Sequence, residues 1–362
     1  MAPMSSSVGT TGAPACWSMA VGGICRFPKM PKEFPIGTKH LVSLKASARA
    51  LVNSHAGRRV NGAVASIRTR QLTLDVVHSA CERLWAMGYQ LRDIRQLSRT
   101  HVQALVRHWM ANGYSLKTIQ NHISRLRRVA EWIGKPEMIT HRFLQQLYPH
   151  LPADALSVKV DATRSKSWSE RGIDVVAKIL QADALDLRFG AMLRLGVTFG
   201  LRRKEQLRAR PHLMDAGTLL LIRQNMAKSG KDRDVPIEHP FQRVCLEHAK
   251  RLCQSRDDFL GWPERSYEQN VERYKYLMKK IGITGRDSDC VGHGLRAEYA
   301  ENIALLHGLV PPVLGGRISQ IDEASRLQIQ NIVARNMGHH RPEVTCAYYG
   351  QFRKEPDSGC GG

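Results

Sequence analysis

The sequence predicts a mainly α-helical protein with one small antiparallel β-sheet (α+β), divided into two domains. A chain of 362 residues is too long for one compact core. From about residue 72, apolar residues recur at three- and four-residue intervals, the spacing of amphipathic helices. One stretch, "GTLLLIRQNMAKSGKDRDVPI", instead has the pattern of two strands around a Ser229-Gly230 turn.

The N-terminal 71 residues are the least patterned part of the chain. Residues 1–35 mix Gly, Ser, Pro and Met without apolar periodicity, which predicts a disordered tail. Residues 36–71 are predicted to be a basic leader, since residues 1–74 contain ten Lys or Arg and one acidic residue. A DNA-contacting arm and a solvated leader are equally compatible with that composition.

Residues 72–150 are predicted to form a small helical domain with a basic face. Ser115 is a suitable cap for a helix whose apolar stripe contains Ile119, Ile123 and Leu126. The same helix contains the candidate DNA-binding residues, namely Lys117, Arg125, Arg127 and Arg128. A solvated charged face is the alternative for each of them.

Residues 151–166 are polar and include a proline, which predicts a linker to a second domain over residues 167–350. Ser167 and Glu170 have the spacing of a capping box at the start of that domain. Helical patterns follow the strand pair, at 239–254, 266–281 and 293–307. Residues 351–362 are left as a short tail.

The charge balance indicates a polyanionic partner. The formal net charge is +22, from 54 Lys and Arg against 32 Asp and Glu, so nucleic acid is the simplest partner and a merely basic protein is the alternative. The eight cysteines form no CxxC pair, which favours a reducing compartment, and we expect a cytoplasmic protein. We expect no signal peptide, because no basic segment leads into the weakly apolar stretch near the N-terminus, and no apolar run approaches the roughly 20 residues that cross a bilayer.

Four short stretches contain the residue types of a catalytic site. "TFGLRRKEQLRAR" contains Arg202 and Glu205, and "AKSGKDRDVPI" places Lys228 beside the predicted turn. "GHGLRAEYA" contains His293 and Arg296 at the start of a helix, where a phosphate is favoured. The fourth stretch, "MGHHRPEVTCAYYG", contains His339. Each stretch alone is common in structural roles.

In this order and spacing the four stretches resemble the motifs of the tyrosine recombinases (phage-type integrases). The resemblance covers roughly residues 72–350 and is closest to the integrases of prophages and integrative elements. It implies a SAM-like core-binding domain, a catalytic domain and site-specific recombination without metal or cofactor. It also implies double-stranded DNA attachment sites as substrate, a tetramer on DNA and a possible directionality factor.

The resemblance implies a role for each matching residue. Arg202, Lys228, His293, Arg296 and His339 would activate the phosphate, with Glu205 in support. Tyr348 would be the nucleophile, because it lies nine residues after His339 and three after Thr345, as in the family. Tyr349 and His340 fall out of that register.

Several alternatives stay open. His339, His340 and Cys346 could bind zinc, or His339 and Tyr348 could be ordinary core residues. A type IB topoisomerase would use the same chemistry, and a catalytically silent accessory factor would bind DNA only. The 43 residues from Arg296 to His339 exceed the family's usual spacing by roughly twenty, and the extra segment is expected to form a surface loop.

Overall fold

The computed structural model describes residues 38–55, 59–60, 63–64, 66–158, 161–223, 232–339 and 341–352. Backbone contacts divide them into two compact units, which we call the N-terminal unit (38–158) and the C-terminal unit (161–352). The expected N-terminal tail at 1–35, and residues 353–362 of the short tail expected at 351–362, lie outside the described residues. The fold class is confirmed: both units are mainly helical, and the strands pair in short antiparallel ladders.

The N-terminal unit consists of five helices and one minimal hairpin among its described residues. The helices are α1 (Thr38–Ser54), α2 (Ile67–Ala86), α3 (Arg99–Ala111), α4 (Leu116–Trp132) and α5 (Phe143–Leu147). The strands β1 (Arg59–Val60) and β2 (Ala63–Val64) pair antiparallel between α1 and α2.

Helix α1 differs from the expectation of a basic leader over residues 36–71. Its residues Leu41, Leu44, Ala48 and Leu51 recur at helical spacing and are buried in the same apolar core as α2, α3 and α4. The interspersed lysine and arginine residues lie on its other faces, so the high charge of this stretch concealed the apolar stripe. The helix is therefore part of the packed unit.

Helices α3 and α4 agree with the sequence pattern. The Ser115 hydroxyl accepts a hydrogen bond from the backbone N–H of Thr118 and caps α4. Ile119, Ile123 and Leu126 are buried, as their spacing predicts. Gly113 and Gly134 follow the two helices with positive φ angles of 69° and 75°, the left-handed conformation that commonly ends a helix.

The C-terminal unit contains nine further helices and a second strand pair in its described part. The helices are α6 (Val175–Leu185), α7 (Leu187–Phe199), α8 (Arg203–Leu207), α9 (Pro211–Met214), α10 (Pro240–Arg251), α11 (Tyr267–Lys280), α12 (Gly294–Leu306), α13 (Glu323–Asn336) and α14 (Cys346–Tyr349). The strands β3 (Leu219–Ile222) and β4 (Arg233–Pro236) pair antiparallel with Leu220 opposite Val235. The pairing agrees with the predicted hairpin, whose turn lies outside the described residues.

Helix α12 lies at the centre of the C-terminal unit and packs against α7, α13 and α14. Leu295, Tyr299 and Ile303 of α12 are buried in one apolar cluster with residues of α7 and α13. Because the helix is surrounded on several sides, a polar side chain on it is forced into the interior. This packing determines the environment of Arg296.

The boundary between the two units lies within the predicted linker, whereas the predicted cap at Ser167 is not observed. Residues 153–156 form a 3₁₀ turn whose Leu156 carbonyl accepts a hydrogen bond from Gln120 of α4. Ser165 and Ser167 are buried in the C-terminal unit, and Asp174 caps α6 in place of Ser167. The Ser165 hydroxyl instead donates to the buried Glu301 carboxylate at 2.7 Å. These two serines are polar but buried, whereas most other described residues of the predicted linker are exposed.

The segment between α12 and α13 mixes exposed and buried positions, whereas a surface loop was expected. Leu309 is 1 % exposed, and Val313 packs against the apolar core. The segment forms 3₁₀ turns at 312–314 and 318–320.

No helix within the described ranges is long and apolar enough to span a membrane.

Candidate active site

Arg296 is the central residue of the site. It lies in the first turn of α12 and is 1 % exposed. Its guanidinium donates hydrogen bonds to the carbonyl oxygens of Gly200 and Met337 and, from Nε, to the Tyr348 hydroxyl at 3.2 Å. Burial lowers the pKa of Arg296 to about 10, so the group stays charged at neutral pH. These contacts hold a buried cation in one orientation.

Arg202 reaches the same site from the turn between α7 and α8. Helix α7 ends at Gly200, whose φ of 60° reverses the chain and aims its carbonyl at Arg296. Arg202 then caps α8: its backbone N–H donates to Glu205 Oε2 at 2.7 Å and its Nη1 to Glu205 Oε1 at 2.9 Å. Its Nη2 also donates to the Met337 carbonyl, at 3.2 Å, so both arginines converge on the same oxygen.

Glu205 is fully buried and has a second arginine partner, Arg233, which the motif spacings do not indicate. Arg233 Nη1 and Nη2 donate to the two Glu205 oxygens at 2.9 and 2.8 Å, a bidentate pair. Burial alone would raise the pKa of Glu205, but the Arg233 hydrogen bonds and the charges of Arg233 and Arg202 lower it to about 2. Glu205 is therefore a carboxylate under all physiological conditions.

A signal for Arg233 was present in the strand pattern. Strand β4 alternates inward and outward positions, and Arg233 occupies an inward position in register with Val235. A charged residue on the buried face of a strand requires a partner inside. The hairpin pattern alone draws attention to Lys228 beside the turn, and Lys228 lies outside the described residues.

His339 is placed by the turn that follows α13. Gly338 has a φ of 65°, and a Cβ there would lie 2.8 Å from Cδ of Arg233, so the turn needs glycine for both conformation and space. The His339 Nδ1 lies 2.9 Å from the Thr345 hydroxyl. Burial and then the neighbouring charges of Arg296, Arg202 and Arg233 lower the pKa of His339 to about 3. The imidazole is therefore neutral at pH 7.

Tyr348 lies among the residues just described, whereas Tyr349 does not. The Tyr348 ring centroid is 5.3 Å from that of His293 and 5.5 Å from that of His339, and the Arg296 guanidinium lies over the ring. The Tyr349 side chain is 0 % exposed in the apolar core, and its hydroxyl has no hydrogen-bond partner among the described residues. Burial raises the pKa of Tyr349. Tyr349 is a packing residue in this structure.

The residues that the sequence singled out thus meet at one place. They come from α8 and the residue before it, from α12 and the residue before it, from the turn after α13 and from α14; the residues are Arg202, Glu205, His293, Arg296, His339 and Tyr348. The described ranges contain no group of three or more His, Cys, Asp or Glu side chains that could hold a metal ion. Cys346 is buried, and His340 lies outside those ranges.

The four basic residues suggested for DNA contact separate into two groups. Lys117 is exposed, and Arg125 and Arg128 are partly exposed on α4. Arg127 instead donates to the carbonyl oxygens of Ile139 and Thr140, at 3.0 and 2.9 Å. The structure therefore gives Arg127 a structural role, that of holding the segment after α4.

Comparisons with known proteins agree with the architecture. Residues 48–139 match the sequence model of the phage integrase N-terminal domain family. The structure is similar to that of a lambda integrase dimer bound to a COC' core site, with a TM-score of 0.54 and 14% identity over 90% of this chain and 85% of that one. It is also similar to the Tn1549 transposon integrase in complex with circular intermediate DNA, with a TM-score of 0.51 and 13% identity over 85% and 96% of the two chains.

A lambda integrase tetramer bound to a Holliday junction gives a similar match, with a TM-score of 0.51 and 14% identity over 86% of this chain and 78% of that one. No curated protein matches this chain. At these identities the structural likeness establishes the fold. The resemblance to the tyrosine recombinases is thus confirmed for the N-terminal family and for the fold of the chain.

Proposed function

We propose that the chain is a tyrosine-type site-specific DNA recombinase that integrates or excises a mobile element. The observation that carries the proposal is the 3.2 Å hydrogen bond from the Arg296 guanidinium to the Tyr348 hydroxyl, at a site that also contains Arg202, His293 and His339. A hydroxyl among cationic groups and two imidazoles suits attack on a phosphodiester.

The proposed reaction begins with attack of the Tyr348 oxygen on a DNA phosphorus. The P–O5′ bond breaks as the tyrosyl P–O bond forms, which leaves a 3′-phosphotyrosyl linkage and a free 5′-hydroxyl. Negative charge grows on the non-bridging oxygens, and Arg202 and Arg296 are the donors that stabilise it. The new linkage retains the energy of the broken bond, so a 5′-hydroxyl of another strand can reverse the step.

Two proton transfers complete the step. Free tyrosine has a pKa of about 10, so its proton must leave as the oxygen attacks, and His293 is the proposed acceptor. Lys228 is the proposed donor to the departing 5′ oxygen. His339 is neutral, and if its Nδ1 accepts from Thr345 the N–H at Nε2 is available for a non-bridging oxygen.

The proposed partners follow from charge and fold. Double-stranded DNA is the substrate, contacted by Lys117, Arg125 and Arg128 of α4 and attracted by the net charge of +22. Self-association to a tetramer on DNA, a directionality factor, a cytoplasmic location and a reaction without metal belong to the same proposal. We propose also that the N-terminal unit, which contains residues 72–150 together with α1, is the core-binding domain, and that residues 167–350 form the catalytic domain.

The test uses a pool of short duplexes with a randomised central segment and a nick beside it. Cleavage near the nick releases a short strand, which diffuses away and traps the protein on the DNA. The proposal predicts SDS-stable protein–DNA adducts with wild type, enriched in a limited set of sequences. Sequence-selective binding without any adduct would support the silent accessory factor instead.

A further inference from the structure

Arg233 has an unusual position for a residue with no assigned role. Its side chain is 6 % exposed, and it connects three segments: β4, which contains it, α8 through Glu205, and the end of α13 through the Asn336 carbonyl, which accepts from Nε at 3.1 Å. A buried arginine requires compensation for its lost hydration, and Glu205 with 0 % exposure supplies it.

The Glu205 carboxylate has two cationic neighbours that compete for its charge. Arg233 makes the bidentate pair, whereas Arg202 makes one side-chain contact to the same carboxylate, to Oε1. With Arg296 beside them, three guanidiniums and one carboxylate leave a net charge of +2. Without Arg233 the net charge would be +1, and Arg202 would be the remaining cation bound to Glu205.

We propose that Arg233 is a positioning residue that neutralises Glu205, so that the charge of Arg202 and Arg296 is directed to the DNA phosphate. The inference rests on the proposed function, since the phosphate is that of the scissile strand. It assigns the Glu205 carboxylate a double role: Oε2 accepts from the Arg202 backbone N–H and caps α8, and Oε1 accepts from Arg202 Nη1 and orients the guanidinium. Arg233 prevents that same carboxylate from cancelling the charge it orients.

Two further observations support this assignment. The pKa of Glu205 is lowered to about 2 although burial raises it, and Arg233 is the larger of the two opposing arginine influences. Gly338 leaves space for the Arg233 side chain, because a Cβ there would lie 2.8 Å from Arg233 Cδ. The turn that places His339 is therefore built around this arginine.

The test compares Arg233→Gln with the double variant Arg233→Gln/Glu205→Gln in adduct formation on the trapped duplexes. In the single variant the Glu205 carboxylate is no longer neutralised by Arg233 and reduces the effective charge of Arg202. We therefore expect the rate of adduct formation to fall about tenfold or more. The double variant restores the net charge of +2 with a neutral pair, so we expect it to be faster than the single variant. If Arg233 only holds the fold together, the double variant should form adducts at the same rate as the single variant or more slowly.

Arg233→Lys and a matched arginine provide the controls. Arg233→Lys keeps the positive charge but loses the bidentate guanidinium contact, so we expect it to retain more adduct formation than Arg233→Gln. It replaces Arg233→Gln in the test if that variant does not fold. Arg194 makes the same bidentate contact with Asp183, at 2.6 and 2.5 Å, between α7 and α6. Arg194→Gln should change thermal stability but not the adduct rate.

A second readout does not depend on cleavage. Inorganic phosphate raises the melting temperature of a protein that binds it in the folded state. We expect this rise in melting temperature to be smaller in Arg233→Gln than in Arg194→Gln. In the double variant we expect it to be larger than in Arg233→Gln. If wild type forms no adduct on any duplex, the proposed function fails, whereas the phosphate series still decides the role of Arg233. Equal phosphate responses in all variants, or an adduct rate for Arg233→Gln within about twofold of wild type, would overturn the inference.

Discussion

At the residue scale, the adjacent tyrosines 348 and 349 show how one helical step changes chemistry. Tyr348 is partly buried beside Arg296, whereas Tyr349 faces the apolar core of the C-terminal unit. Successive residues on a helix point about 100° apart, so both cannot face the same site. The difference in environment, rather than any difference in side chain, separates the candidate nucleophile from a packing residue.

Substitution of each tyrosine tests that distinction. We expect Tyr348→Phe to abolish adduct formation while DNA affinity, measured by fluorescence anisotropy, stays within about twofold of wild type. Tyr349→Phe removes a buried hydroxyl that has no partner in the described part of the chain, so it should retain the adduct without loss of stability. Adducts from Tyr348→Phe would refute the assignment.

The buried neutral state of His339 makes a prediction about acid stability. Its pKa is about 3 in the folded protein and about 6.5 when unfolded, so the unfolded chain binds the extra proton between those values. The contribution of His339 is complete above pH 6.5 and is lost as the pH falls towards 3. We expect His339→Gln to flatten the decline in unfolding free energy over this range, measured by urea denaturation. The exposed His141→Gln is the control and should leave the decline unchanged.

At the scale of elements, the short helix α14 is held by segments distant in sequence. The Ala162 backbone N–H donates to the Cys346 carbonyl at 3.0 Å, and Lys166 Nζ donates to the Ala347 carbonyl at 3.2 Å. A four-residue helix is too short to be stable alone. The position of Tyr348 therefore depends on tertiary contacts from residues 162–166 and from the segment between α12 and α13.

Gly350 tests this dependence, because it ends α14 with a φ of 89° and a ψ of 176°. That conformation is essentially restricted to glycine, and a Cβ would lie 3.1 Å from atoms of Pro312 and Val313. We expect Gly350→Ala to reduce the adduct rate and to cost about 1–3 kcal/mol of stability. Gly217→Ala, at a φ of 77° with no atoms within 4 Å of its Cβ, should cost stability only. Equal adduct rates in both variants would show that α14 keeps its position without these contacts.

The basic residues of α4 give a second comparison between variants of one element. We expect Lys117→Gln and Arg128→Gln each to weaken DNA binding and to reduce its salt dependence by about one unit of slope. Arg127→Gln should instead destabilise the N-terminal unit by about 1–3 kcal/mol, since it loses hydrogen bonds to two carbonyl oxygens. Anisotropy titrations at several salt concentrations and chemical denaturation separate the two effects. A salt slope that changes most in Arg127→Gln would contradict this division.

The sequence was informative where local rules determine the outcome. Ser115, the stripe on α4 and the strand pair are governed by capping, helical period and strand alternation. It was less informative where long-range packing decides. The apolar stripe of helix α1 was not recognised among its charged residues. The Ser167 hydroxyl forms a hydrogen bond with the buried Ser165 hydroxyl instead of capping a helix.

The candidate site shows the same division. The motif spacings identified Arg202, His293, Arg296, His339 and Tyr348, and these side chains do meet. Spacing could not show that Glu205 is shared between two arginines, because Arg233 reaches it across 28 positions of sequence and from a different element. The charge balance of the site therefore could not be predicted from the sequence and is seen only in the structure.

At the scale of the whole molecule, the net charge of +22 suits the proposed DNA substrate. Strand exchange distinguishes a recombinase from a type IB topoisomerase, which would relax supercoils only. We expect wild type to exchange strands between two plasmids that carry a sequence recovered from the duplex pool, with unchanged yield in EDTA. Relaxation without exchange would favour the topoisomerase, and loss of activity in EDTA would contradict the metal-independent mechanism.

The most direct measurement of the central claim identifies the residue that becomes linked to DNA. The trapped adduct would be digested with nuclease and trypsin, and the peptide that spans both tyrosines would be fragmented in a mass spectrometer. The account predicts a nucleotide joined through its 3′-phosphate to Tyr348 and an unmodified Tyr349. A nucleotide on Tyr349, or on any residue other than Tyr348, would contradict it.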